Sequence, residues 1–257
     1  MKIGRFYIDG LEFTGAVDED SSRVEEIENP FEHVPKGREF ELNELRYLPP
    51  IAPAKIVCVG LNYVDHAREL GLDPPDEPLI FLKPPSALAA HGDNIAYPES
   101  SSSVEYEGEL AVVIGKKCVD VKEKDAQEVI LGYTAFNDVT ARDLQKKDGQ
   151  WTRSKSFDTF APMGPWLVTR DEVDDAGCLQ IRTFLNGEKR QDSNTENLIF
   201  DVPKLVEFIS GIMTLSPGDM IATGTPPGVG EMRPGDVVKV DIEGVGVLMN
   251  RVVSRSG

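Results

Sequence analysis

Val104-Glu105-Tyr106-Glu107-Gly108-Glu109-Leu110-Ala111-Val112-Val113-Ile114-Gly115 opens with acids at alternate positions and then turns wholly apolar. Alternate residues of a strand project to one face, so the spacing predicts Glu105, Glu107 and Glu109 on one side of a strand whose second half enters a core. Like charges placed that way repel one another unless something neutralises them. The pattern fits either a solvent-facing edge or a hard divalent cation held by carboxylate oxygens. Asp138 lies inside Phe136-Asn137-Asp138-Val139-Thr140, among apolar and β-branched neighbours. It reads as the cap of a turn or as a third ligand brought in from another strand.

Outward from this stretch, most segments carry strand patterns. Residues 1–50 form a short β-rich start, predicted to be a small N-terminal domain, and the prolines at 49, 50 and 53 make a stiff linker into residues 51–257. KIVCVGLNY predicts a buried strand and a turn, followed by a short helix over VDHARELG that Gly71 ends. PLIFLKPPSAL is a further apolar strand, broken at Pro84 and Pro85. KEKDAQEVILG predicts a helix, and YTAFNDVTARDLQKK a strand running into a loop or helix. LQIRTFLNGEKRQ predicts a hairpin turning at Asn186-Gly187. DVPKLVEFISGIMTL is an apolar helix, and DMIATGT and DVVKVDIEGVGVLMNRVV are two closing strands, the second with a glycine-rich bend. The serine run 100–103 predicts a surface loop.

The chain has 257 residues, enough for one large core with a small appendage. Its 44 acidic and 27 basic side chains leave a net charge of −17. Such a surface repels phosphate backbones, which argues against nucleic acid as a partner, and suits high salt, where counterions screen its self-repulsion. No apolar run approaches the ~20 residues of a membrane span, and the N-terminus lacks an apolar signal core, so a cytoplasmic protein without a membrane partner is expected. Cys58, Cys118 and Cys178 are far apart, which supports neither a disulfide framework nor a zinc site. TGTPPGVG lacks the Lys-Ser/Thr ending of a phosphate loop, and GVGVL lacks dinucleotide spacing.

KIVCVGLNYVDHARELG, FLKPPSAL, YEGELAVVIGKK, FNDVTARDLQ, WTRSKSFDTFAPMGPWLVT and IATGTPPGVG together resemble the successive motifs of the fumarylacetoacetate hydrolase family, in family order over residues 55 to 250. The resemblance extends to the acylpyruvase and 2-hydroxyhepta-2,4-diene-1,7-dioate isomerase branch. It implies a mostly β, α+β fold: a mixed β-roll or sandwich with flanking helices behind a small N-terminal domain. It also implies a homodimer.

By position, the resemblance places the family's metal ligands on Glu107, Glu109 and Asp138, with Mg²⁺ or Mn²⁺ as the ion and Glu105 as a supporting acid. The chain departs from the pattern at Gly108, where an apolar side chain is usual. Lys155 matches the active-site lysine, able to stabilise an enolate or move a proton. Arg142 and Gln145 match residues that bind the substrate's polar groups, and arginine suits a carboxylate through its bidentate fork. Thr225 matches a turn whose hydroxyl and backbone amides contact the substrate carboxylate. His66 and Glu69, at i and i+3 on one helix face, match a pair on a mobile segment that activates water. The implied chemistry is turnover of a small 2-oxo acid through an enolate. It takes the form of acylpyruvate hydrolysis or oxaloacetate decarboxylation, with dienoate isomerisation or keto-deoxy acid dehydration as alternatives.

Overall fold

In a computed structural model, residues 1–255 are described. The chain is mostly β, as expected, with its strands in three sheets. The largest sheet runs, neighbour to neighbour, through Glu32–Glu41, Arg23–Asn29, Leu11–Asp18, Lys2–Ile8, Ala161–Thr169, Ile130–Asn137, Gly108–Ile114, Met220–Ala222, Ile56–Gly60 and Leu79–Lys83. A five-stranded sheet joins Glu188–Asn194, Gln180–Leu185, Val237–Ile242, Gly246–Ser254 and Asn94–Tyr97, and a small one joins Thr140–Ala141, Val104–Tyr106 and Gly230–Met232. No helix among the described residues is long and apolar enough to cross a membrane.

Strands buried on both faces read as continuous apolar runs. Gly108–Ile114 and Met220–Ala222 are of this kind, buried at every residue. One face of the large sheet packs Leu110, Val112 and Ile221 against Ile181, Val240 and Leu248 of the five-stranded sheet and against the helix Val202–Ser210. The other face carries Cys58, Ala111, Phe136 and Met163. The first strands of the chain continue the large sheet through Lys2–Ile8, which pairs with Ala161–Thr169, and enclose a small core of Phe6, Phe13, Val24 and Leu45. Pro50, Ile51 and Pro53 of the linker are buried.

Several local expectations meet the structure directly. The helix Val64–Leu70 ends at Gly71, whose φ of +67° is left-handed, and the hairpin turns at Asn186 and Gly187, both at positive φ. Others are corrected. Glu123–Val129 is a 3-10 segment and a strand begins at Ile130, because the apolar residues of VILG continue into the sheet. The closing segment is two antiparallel strands, Val237–Ile242 and Gly246–Ser254, since the glycines at 244 and 246 take positive φ and reverse the chain. The serine run is not all surface: Ser101 is buried and donates to Asp143 at 2.6 Å.

Candidate active site

The strand of acids does not run straight. Val104–Tyr106 belongs to the small sheet and Gly108–Ile114 to the large one, so the chain changes sheets at Glu107. Glu105 lies on the small-sheet side of that change, yet one guanidinium, that of Arg142, reaches both it and Glu107. Glu105 stays with the small sheet and accepts from Arg142 Nε at 2.7 Å, outside the carboxylate cluster. Glu107 and Glu109 turn inward together. Ile130–Asn137 runs antiparallel beside them with Gly108 opposite Asn137, which delivers Asp138 to Glu107, and Asp138 N–H donates to Glu107 O at 2.8 Å. Glu107, Glu109 and Asp138 are all buried, and each offers one oxygen within 4.8 Å of the others.

Cations share this space. Lys155, buried in the short helix Thr152–Lys155, donates to Glu107 Oε2 at 2.8 Å and to Asp138 Oδ2 at 2.6 Å. Burial alone would discharge its ammonium, but Asp138 and Glu107 outweigh burial and hold the proton more tightly than on a free lysine. Arg142 reaches both Glu105 and Glu107, and its Nη1 donates to Gln145 Oε1 at 2.6 Å. Burial pushes the Glu107 carboxyl up, yet Lys155 and Arg142 win and hold it down to about 2.

Glu109 differs. Its Oε2 accepts from Gly224 N–H at 2.9 Å, and it makes no ion pair among the described residues. Burial, then the charges of Asp138 and Glu107, push its carboxyl well above the usual range. In all, four carboxylates (Glu105, Glu107, Glu109, Asp138) face three cations (Lys83, Arg142, Lys155), and Glu109 is the carboxylate with which none of the three forms an ion pair. A buried carboxylate without a counter-charge, beside two more oxygen donors, is the donor set a hard divalent cation fits.

These groups meet a cavity of about 310 Å³. Glu107, Glu109, Arg142, Gln145 and Lys155 line one part of it, with His66 and Thr225 beside them. Asp138 lies deeper, both its oxygens bonded to lysines. His66 Nδ1 is 2.8 Å from Glu69 Oε2, and Glu69 also accepts from Gly228 N–H at 3.2 Å. Their helix is docked: Asp65 accepts from Ser193 Oγ at 2.6 Å. Thr225 Oγ1 donates to Gly108 O at 2.9 Å, so its proton is used inside the protein.

Four residues to which the motif reading assigned no role contribute to the site. Lys83 is fully buried and bonded to Asp138 and to Val139 O at 3.1 Å. A lysine inside the apolar strand Leu79–Lys83 is the signal that marks it, because an unpaired buried ammonium is costly. Trp151 and Phe81 form an edge-on aromatic wall, centroids 5.1 Å apart, and the Lys155 ammonium stands 5.0 Å from the Phe81 centroid. Gln191, in the hairpin, bonds to Thr225 and to the Gly108 amide.

A β-rich fold of this topology, with a buried Glu-x-Glu and Asp cluster at a cavity, defines a class of enzymes with acidic metal-type sites. Residues 55–253 match the family described as fumarylacetoacetate (FAA) hydrolase C-terminal, and the chain belongs to that family. It is 46% identical to oxaloacetate tautomerase fahd2, mitochondrial, of Xenopus laevis, over 82% of this chain and 69% of that one. The structure of 5-carboxymethyl-2-hydroxymuconate delta-isomerase from Mycobacterium smegmatis superposes with a TM-score of 0.93 at 44% identity, covering 99% of this chain and 100% of the other. Maleylpyruvate hydrolase from Sphingobium sp. SYK-6, solved with manganese (II) ion and pyruvate, gives a TM-score of 0.84 at 30% identity, covering 100% of each chain.

Proposed function

We propose that this chain is a divalent-metal-dependent enzyme that cleaves a carbon–carbon bond in a small 2-oxo acid of the acylpyruvate type through an enolate. One observation carries the reading: His66, held through Nδ1 by Glu69, lines the same cavity as Glu107 and Glu109 of the carboxylate cluster. Mg²⁺ or Mn²⁺ held by Glu107, Glu109 and Asp138 would supply Lewis-acid stabilisation of the 2-oxo oxygen.

The residues then divide the work. With Glu69 accepting from Nδ1–H, His66 presents Nε2 as the base for a water in the cavity. Lys155 stays charged beside Asp138 and Glu107, so it stabilises negative charge rather than removing a proton. Arg142 is rigidly forked between two glutamates with Gln145 at its side, which places both to orient a substrate's polar end. Leu70, Leu79, Phe81 and Trp151 give the cavity part of its apolar wall.

A second reading, proton transfer on a 2-oxo or 2-hydroxydienoate acid without hydrolysis, draws support from the tautomerase and isomerase relatives. It needs Lys155 and the cluster but no water activated by His66. Acylpyruvates, oxaloacetate, hydroxydienoates and keto-deoxy acids assayed with Mg²⁺ and Mn²⁺ separate the two. Release of pyruvate from an acylpyruvate supports hydrolysis. Turnover confined to tautomer or isomer exchange supports the second reading.

A further inference from the structure

Gln191 is fully buried in the strand Glu188–Asn194, with its oxygen and both amide protons engaged. Its Oε1 accepts at 3.0 Å from the N–H of Gly108, the residue between Glu107 and Glu109. Its Nε2 donates to Thr225 Oγ1 at 2.8 Å and to Pro226 O at 2.7 Å. Thr225 Oγ1 returns a bond to Gly108 O at 2.9 Å. The amide therefore closes a ring between the strand that carries two carboxylates and the turn that lines the cavity.

Gly108 makes the approach possible. A Cβ there would stand 2.2 Å from Thr183 Oγ1 and 3.2 Å from Gln191 Oε1. Thr183 is the register partner of Gln191 across the hairpin, so the pair forms one surface against which the strand is pressed. The departure from the family pattern at 108 thus has a local cause: hairpin and site strand meet with no room for a side chain.

We propose that Gln191 is a positioning residue: it holds the Glu107–Glu109 backbone and the Thr225–Pro226 turn at one separation, so that the cation and the substrate's anionic end are bound in register. This rests on the metal-dependent reading above. A hydrogen-bonded group around metal ligands typically contributes a factor of about 10–100 to metal affinity, and one neutral bond to a ligand-facing turn about 2- to 10-fold.

The test uses the full chain, with Mn²⁺ alone followed by calorimetry and electron paramagnetic resonance, and then pyruvate titrated into the Mn²⁺-loaded protein. Gln191→Met should keep its circular dichroism, weaken Mn²⁺ by about 10–100-fold and broaden the Mn²⁺ spectrum. Gln191→Glu retains an acceptor for the Gly108 amide but not the donors. It should recover most of the Mn²⁺ affinity yet bind pyruvate about 2- to 10-fold more weakly. If Gln191→Met does not fold, Gly108→Ala carries the test: it should lose Mn²⁺ affinity, and adding Thr183→Ala should restore it. Unchanged Mn²⁺ and pyruvate binding in Gln191→Met would overturn the proposal, as would Gln191→Glu behaving like Gln191→Met, or no rescue at 108 by 183. Wild-type protein that binds no Mn²⁺ overturns the metal-dependent reading and this proposal with it. Wild-type binding with insensitive variants overturns this proposal alone.

Discussion

Glu109→Gln isolates the one carboxylate of the cluster that lacks a counter-charge. The glutamine oxygen can keep the bond from Gly224 N–H, so the substitution removes charge while leaving shape and that contact in place. Without metal, an uncompensated buried polar group costs on the order of 1–3 kcal/mol, more when charged. At roughly 2–4 °C per kcal/mol for a domain of this size, the metal-free variant should melt about 2–12 °C above wild type. The sign with pH follows from the raised carboxyl. A group whose folded pKa lies above its unfolded value contributes stability at low pH and loses it as pH rises through the folded value. The advantage of the variant should therefore be absent below about pH 4, the unfolded carboxylate range, and should grow as pH rises. With Mn²⁺ at a hundred times its Kd, linkage adds about 2.7 kcal/mol to wild type, a further rise of about 5–10 °C, and the variant should gain little. Scanning fluorimetry from pH 4 to 8.5 in chelator and in Mn²⁺ reads both effects. A variant that melts below wild type in chelator across that range, or that gains as much from Mn²⁺, would refute the reasoning.

Other expectations are more direct. His66→Ala should lower acylpyruvate hydrolysis by about 10²–10⁴, the scale of a lost general base, and leave metal-promoted oxaloacetate decarboxylation nearly intact; steady-state rates on both substrates decide, and equal losses would remove the division of labour. Lys83→Met leaves Asp138 short of one of its two cations, so a loss of about 3 kcal/mol is expected, measured by urea unfolding; a change within error would make Lys83 a bystander. Thermal stability should climb as KCl rises from millimolar toward molar concentrations, because the net charge of −17 is screened; a flat profile would mean that the self-repulsion is negligible.

The sequence by itself determined which segments would be extended, where the chain would turn and which residues would carry charge. Gly71 and Asn186-Gly187 act through their own φ preferences, and the buried strands act through unbroken apolar runs, so both are legible without a fold. The acids at 107, 109 and 138 were legible as a set only through the family resemblance; the antiparallel ladder that brings Asp138 beside Glu107 is a feature of the structure. Distance in the chain decided the rest. Glu105 was read as a supporting acid, and only the structure shows that it reaches Glu107 through Arg142 while standing outside the carboxylate cluster. Lys83 meets Asp138 across 55 residues and Gln191 meets Gly108 across 83, so neither partner has any local signature of the other. The charge on each side chain belongs to the sequence. Which charges are matched, and that Glu109 is left over, is settled by tertiary packing, because burial and a partner a few ångströms away outweigh everything a residue's neighbours in the chain can do to its ionisation.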